Sequence, residues 1–115
     1  MTDTAPQNPH QTLLRLAGQE IVFDEEGYFM DDTQWTEAIC RELAAQNGLT
    51  EMHEEHWRVL YAYRDYYAYN GRAPLNRDLK KATGMSVLTM ERLFPGGLKL
   101  GARRLCGLPN PKTCQ

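Results

Sequence analysis

Two short apolar runs, Leu13-Leu14-Arg15-Leu16 and Glu20-Ile21-Val22-Phe23, flank Ala17-Gly18-Gln19 near the start of the chain. Runs of that length around a Gly-containing turn predict a small β-hairpin. Asp24-Glu25-Glu26-Gly27 reads as a second turn, after which Tyr28 and Phe29 return to the core. Asp31-Asp32-Thr33 offers caps for a helix over about 34–46, whose Trp35, Ile39 and Leu43 recur at helical spacing and whose stop is Asn47-Gly48. Cys40 falls within that pattern and reads as a small core residue. With Thr50 as cap, residues from about 51 to 70 form the longest predicted helix, closed by Gly71 and Pro74. Trp57, Leu60, Tyr61, Arg64, Tyr67 and Ala68 make its main stripe, widened by Tyr63, Tyr66 and Tyr69. Two short helices follow, about 77–82 and 86–94 with Ser86 as N-cap, joined by Thr83-Gly84-Met85. A last short helix spans about 98–106 despite Gly101.

At 115 residues the chain is long enough for one modest core. Its mean hydropathy of −0.59 and 24% charged residues predict a soluble globular domain. No run approaches the roughly 18 apolar residues that a membrane span needs. The polar start, residues 1–12, reads as a disordered lead with neither the basic nor the apolar part of a secretory signal, so a cytoplasmic protein is expected. The net charge of −2 conceals two halves of opposite sign. Residues 1–71 hold 4 Arg/Lys against 13 Asp/Glu, or −9; residues 72–115 hold 9 against 2, or +7. Arg72, Arg77, Lys80, Lys81, Arg92, Lys99, Arg103, Arg104 and Lys112 can thus form a surface for an acidic partner or nucleic acid, or simply attract the acidic half.

Few groups carry candidate chemistry. His53 and His56 stand three apart, whereas the zincin motif needs four-residue spacing and a third ligand, so no metal site is expected and His56 is better read as a packed or capping side chain. No phosphate loop, nucleophile elbow or Ser/His/Asp set is found, and no cofactor is expected. The helix pair over 77–94 has helix-turn-helix spacing and basic surroundings, which makes DNA contact physically possible, although Glu91 repels phosphate. The tyrosines of the long helix could stack nucleobases, but no RNA-binding pattern surrounds them. Three cysteines, Cys40, Cys106 and Cys114, form no Cys-x-x-Cys pair; separately employed, reduced thiols fit better than a disulfide framework or zinc ribbon. Cys114 is one residue from the end of Gly107-Leu108-Pro109-Asn110-Pro111-Lys112-Thr113-Cys114-Gln115, where Pro109 and Pro111 forbid helix and favour an extended, semi-stiff arm. The pattern presents a nucleophile on a tether.

Glu26-Gly27-Tyr28, Trp35, Glu55-His56-Trp57, Arg64-Asp65-Tyr66-Tyr67, Arg92-Leu93-Phe94-Pro95 and the terminal Gly107-Leu108-Pro109-x-Pro111-x-x-Cys114-x together resemble the DsrC/TusE family of sulfur carriers, over about residues 13–115. The resemblance implies a mainly α fold: a small orthogonal helical bundle with an N-terminal β-hairpin, a single domain over 13–106, and a flexible C-terminal arm over 107–115. It implies that Cys114 carries sulfur as a persulfide, a sulfurtransferase role without a small-substrate pocket. The partners it implies are a TusBCD/DsrEFH-like sulfur donor complex and, as acceptor, the tRNA 2-thiouridylase or dissimilatory sulfite reductase. DsrC-like members carry a second cysteine eleven positions before the penultimate one, a place held here by Arg103. Cys106 stands eight positions before Cys114, where the family usually has a small residue. It can be a resolving thiol that meets Cys114 or a buried residue at the root of the arm. The 83–86 connection also looks shorter than in TusE-like sequences, and Leu98 stands where a proline commonly follows the glycine. Arg103, Arg104 and Lys112 can lower the Cys114 pKa or steer anionic sulfur. The competing reading is a regulatory DNA-binding or redox-sensing member of the same fold, using the 77–94 helix pair.

Overall fold

The computed structural model describes residues 10–111, which places Lys112 and Cys114 outside the described residues. Strands β1 (Thr12–Leu16) and β2 (Gln19–Phe23) form an antiparallel hairpin with Leu14 opposite Ile21 and Leu16 opposite Gln19. Only two residues turn the chain, Ala17 and Gly18, both with positive φ, which matches the twist of the paired strands; Gln19 belongs to β2. Leu16, Ile21 and Phe23 point into the core, and Phe29 returns beside Phe23 with ring centroids 4.9 Å apart.

Five helical segments complete the described fold: α1 (Glu37–Gln46), α2 (Glu54–Asn70), α3 (Asn76–Thr83), α4 (Val87–Leu93) and the short α5 (Arg103–Leu105). Two of them begin later than the sequence pattern predicts. Asp32–Gln34 make a separate 3-10 turn, and Thr36 caps α1 by accepting the Ile39 N–H, so Trp35 precedes the helix instead of sharing its stripe. The predicted start of α2 near residue 51 is displaced to Glu54, because the His56 imidazole reaches back to the His53 N–H at 2.9 Å. Gly71, left-handed at φ 74°, closes α2 as expected. Ser86 caps α4. The expected last helix over 98–106 is instead a π-helical turn, Leu98–Ala102, followed by α5. Its distortion has a cause at Gly101, where a Cβ would lie 2.4 Å from the Pro95 carbonyl oxygen; only glycine permits that approach.

Helix α2 is the spine, packed against α3, α4 and α5, while α1 lies between β1 and α5. One core joins Ile39, Cys40 and Leu43 of α1 to Val59, Leu60 and Tyr63 of α2 and to Leu79, Met90, Phe94, Leu98 and Leu105. Cys40 is fully buried there. Among the described residues no helix is long and apolar enough to cross a membrane.

Candidate functional site

The residues that lead towards Cys114 are fastened to the body by side chains distant in sequence. The Trp35 indole N–H donates to the Leu105 carbonyl at 2.7 Å, across 70 residues of chain. The Arg64 guanidinium lies 4.3 Å above the Trp35 ring and donates to the Cys106 carbonyl at 2.9 Å and to the Asp32 carbonyl at 3.4 Å. A planar fork can stack and hydrogen-bond at once. Gly107 then turns at φ 80°, and a Cβ on it would lie 2.3 Å from Trp35 Cδ1. The ring therefore sits flush on the backbone at the root of the terminal segment.

Beyond Gly107, Leu108 is 2% exposed and Asn110 8% exposed. Asn110 donates its side-chain N–H groups to Asp24 Oδ2 at 3.0 Å and to Glu26 Oε1. Asp24 is held for this by its other oxygen, which accepts the backbone N–H groups of Glu26 and Tyr28, each at 2.9 Å. Residues 107–110, assigned from sequence to the arm, are thus packed on the turn after the hairpin. Cys114 stands three positions after Pro111, a covalent reach of about 11 Å at most.

The two described thiols are poor nucleophiles where they stand. Cys106 is fully buried, and its Sγ–H donates to the Arg103 carbonyl at 3.0 Å. Burial pushes its pKa from 9.0 to about 12, against the opposing pull of a Leu108 backbone hydrogen bond and of Arg64 and Arg103. Cys40 is likewise pushed up to about 12, first by burial and then by nearby Cys106.

Arg103 and Arg104 lie beside this anchorage. The Nε atoms of both are buried and have no hydrogen-bond partner among the described residues. Burial raises the Tyr63 hydroxyl pKa, and Arg103 opposes that rise through its charge and a hydrogen bond. Arg104 crosses Gly27, its Cδ and Nε 3.4 Å from where a Cβ would stand, with its guanidinium 5.8 Å from the Tyr28 ring centroid. It also lines a cavity of about 520 Å³ with Asp24, Glu25, Phe23, Leu43 and Leu100. Arg104 on Gly27 and Asn110 on Glu26 hold adjacent positions of one turn. Sequence reasoning missed the clamp formed by Trp35, Arg64 and Asn110. The signal was present in Gly107, a glycine directly after a buried stretch, and in a lone amide between two prolines.

The histidine pair is structural in its geometry. His56 Nδ1 accepts the His53 N–H, so Nε2 carries the proton and donates to the Leu93 carbonyl at 2.9 Å; the ring also meets Phe94 edge-on at 5.3 Å. Both ring nitrogens are thereby committed, and α2 is tied to the end of α4. Among the described residues no group of three or more His, Cys, Asp or Glu is arranged to hold a metal ion.

Comparison with known proteins follows the same residues. The family model for "DsrC like protein" matches residues 15–115. The sulfurtransferase TusE of Salmonella choleraesuis is 36% identical over 109 residues, covering 89% of this chain and 99% of its own length. The dissimilatory-type sulfite reductase gamma subunit of Nitratidesulfovibrio vulgaris is 31% identical over 97 residues, covering 84% and 92%. The crystal structure of the oxidized DsrC gamma subunit from Archaeoglobus fulgidus superposes with a TM-score of 0.75 at 32% identity, covering 87% of this chain and 96% of the other.

Proposed function

This chain belongs to the DsrC-like family, and from that premise we propose that it is a cytoplasmic sulfur-relay protein whose Cys114 accepts sulfur as a persulfide and passes it to another protein. The observation that carries the reading is elimination among the thiols: Cys40 and Cys106 are both buried with pKa values near 12, and the family match runs on through Cys114. A thiol near its ordinary pKa of about 8.5 is partly thiolate at neutral pH, and the thiolate is the nucleophile.

The exchange needs no oxidant. The Cys114 thiolate attacks the outer sulfur of a donor persulfide, R–S–SH; the new Cys114 S–S bond forms as the donor S–S bond breaks, and the donor leaves as a thiolate. Delivery repeats the step with an acceptor thiolate attacking the outer sulfur on Cys114, which returns as thiolate. Arg103, Arg104 and Lys112 supply positive charge that favours the anionic forms at both stages. The clamp by Trp35, Arg64 and Asn110 gives the reacting end a fixed root on the body of the domain.

The donor we propose is a TusBCD/DsrEFH-like complex. Arg103 occupies the place of the second cysteine in DsrC-like members, which favours delivery to a tRNA 2-thiouridylase over dissimilatory sulfite reductase. Cys106 serves as a filler at the root of the terminal segment, since meeting Cys114 would require it to leave the core.

Intact-mass spectrometry after incubation with glutathione persulfide tests this. A gain of one sulfur atom that persists in Cys106→Ser and disappears in Cys114→Ser is expected. Loading that persists in Cys114→Ser, or a loss of two hydrogens that needs both cysteines, overturns the single-thiol carrier.

A further inference from the structure

A run of touching rings on one side of α2 carries an ordered pattern of charge. Trp57 and Tyr61 stand one turn apart on the helix with ring centroids 6.4 Å apart, and Tyr61 meets Trp35 edge-on at 5.6 Å. Each tryptophan has a guanidinium over its ring: Arg41 lies 4.8 Å from the Trp57 centroid and Arg64 4.3 Å from that of Trp35. Tyr61, between them, has the opposite charge at its edge, its hydroxyl donating to Glu37 Oε2 at 2.6 Å. That hydrogen bond is the largest of the influences that raise the Tyr61 pKa, and the charge of Arg64 opposes it less. Ring contact alone serves packing; the charges add a direction.

They decide where a missing electron would rest. Removing an electron from an indole leaves positive charge on the ring, which a guanidinium over its face disfavours. Trp35 is the stronger case, because its N–H donates to the Leu105 carbonyl and a peptide carbonyl cannot take the proton. Oxidised Trp35 therefore keeps its charge beneath Arg64. An oxidised phenol, by contrast, is a strong acid, and Tyr61 has a carboxylate in place to receive its proton. Tyr28, Tyr63 and Tyr66 lie instead beside guanidinium groups, those of Arg104, Arg103 and Arg72.

We infer that Trp57, Tyr61 and Trp35 form a path for one-electron oxidation that ends on Tyr61, with Glu37 as the proton acceptor. An oxidising radical that strikes this face then leaves a tyrosyl radical at an accessible ring, and the indole on which the terminal segment is fastened is restored. In the first step a radical oxidant such as azide radical takes an electron from an indole and departs as azide. The oxidised indole next takes an electron from Tyr61, whose hydroxyl proton passes to Glu37, leaving a neutral phenoxyl radical. An oxidised Trp57 that has lost its N–H proton recovers one from water. Tyr61 is 37% exposed, so a small thiol can return a hydrogen atom to it and leave as a thiyl radical. No step involves Cys114, and the inference stands apart from the sulfur-relay reading.

Pulse radiolysis of the full chain with azide radicals tests this by following the indolyl and phenoxyl absorption bands separately. The indolyl band should give way to the phenoxyl band in a first-order step whose rate does not change with protein concentration. Tyr61→Phe keeps the ring contacts and should slow that step about tenfold or more. Glu37→Gln keeps an acceptor for the hydroxyl but no base for its proton, and should slow it about threefold or more, with far-UV CD unchanged in both variants. A second readout separates path from exposure. One nitrogen dioxide radical oxidises a tyrosine, leaving as nitrite with release of a proton, and a second couples to the phenoxyl radical, so peptide mapping of nitrotyrosine marks where the electron deficiency rests. Tyr61 should be nitrated ahead of Tyr69, although Tyr69 is 91% exposed. A wild-type rate in Tyr61→Phe or in Glu37→Gln, a rate proportional to protein concentration, or nitration led by Tyr69 each overturns the inference.

Discussion

Gly107→Ala is the sharpest test of the anchorage, because two separable penalties meet there. The backbone at φ 80° costs a non-glycine residue about 1–2 kcal/mol. The added methyl would stand 2.3, 2.5 and 2.6 Å from Trp35 Cδ1, Cγ and Cβ, so the indole must move, and moving it lengthens the hydrogen bond to Leu105 and unstacks Arg64. Overpacking of that kind costs about 1–3 kcal/mol. The sum, about 2–5 kcal/mol, is a large share of the roughly 5–15 kcal/mol that holds a small domain together. Gly84→Ala is the control. Its φ of 75° is nearly the same, but nothing lies within 4 Å of the added methyl, so it should show the backbone term alone. Thermal denaturation followed by far-UV CD should therefore place Gly107→Ala below Gly84→Ala by about 1–3 kcal/mol, or on the order of 4–15 °C in Tm. Tryptophan emission should redshift only in the Gly107 variant. If the two variants melt within about 2 °C of each other, the flush contact between Trp35 and Gly107 is not what the geometry says it is.

Other consequences follow from the thiols, the histidine cap and the amide clamp. Native protein treated with iodoacetamide at pH 8 should be alkylated quickly at Cys114 alone, with Cys40 and Cys106 reacting only in denaturant; peptide mapping reads the sites. The Cys106 thiol has a folded pKa of about 12 against 9.0 ordinarily, so its stabilising contribution is complete below pH 9 and is lost as pH rises towards 12. Urea melts of wild type should thus lose about 1.4 kcal/mol more per pH unit above pH 9 than those of Cys106→Ala. His56→Ala removes bonds to both His53 and Leu93 and should destabilise by about 2–4 kcal/mol, whereas His56→Gln, which can keep one of them, should recover part of that in the same melts. Asn110→Ala leaves Asp24 Oδ2 without its donor and should cost about 1–3 kcal/mol in the same melts; it should also increase amide exchange at Leu108 relative to the core of α2.

What the sequence made legible is whatever neighbouring residues decide among themselves. The hairpin, the stops at Gly71 and Gly84, the Ser86 cap, the core place of Cys40 and the capping use of His56 all rest on interactions within a few residues or on simple periodicity. The family was legible as well, through motif pieces that the fold now brings together: Glu26-Gly27-Tyr28, Trp35, Arg64 and Gly107 meet at one anchorage. What was not legible is how they meet. Trp35 fits an α1 stripe by spacing, and nothing local reveals that Thr36 outcompetes the earlier caps and frees the indole for Leu105. Asn110 looks like a linker residue until Asp24, 86 positions earlier, is seen to accept from it.

That division bears on how a carrier of this size could work. The proposed relay places its chemistry on Cys114, while long-range contacts from Trp35, Arg64 and Asp24 hold residues 105–110 just before it. Arg64 and Trp35 hold Leu105, Cys106 and Gly107, which on the proposed reading are the fixed origin of the thiol-bearing end. A substitution at Arg64 should consequently affect transfer between proteins more than loading from a small persulfide, since only the former requires the thiol to arrive in a partner's site from a fixed origin. Arg64→Lys keeps the charge and loses the fork, so it separates electrostatics from position. Comparing second-order loading rates from a donor protein and from glutathione persulfide should show a selective loss of at least several-fold for the protein donor. Equal losses for both donors would mean that Arg64 acts through charge on the thiol, and the anchorage would then be structural only.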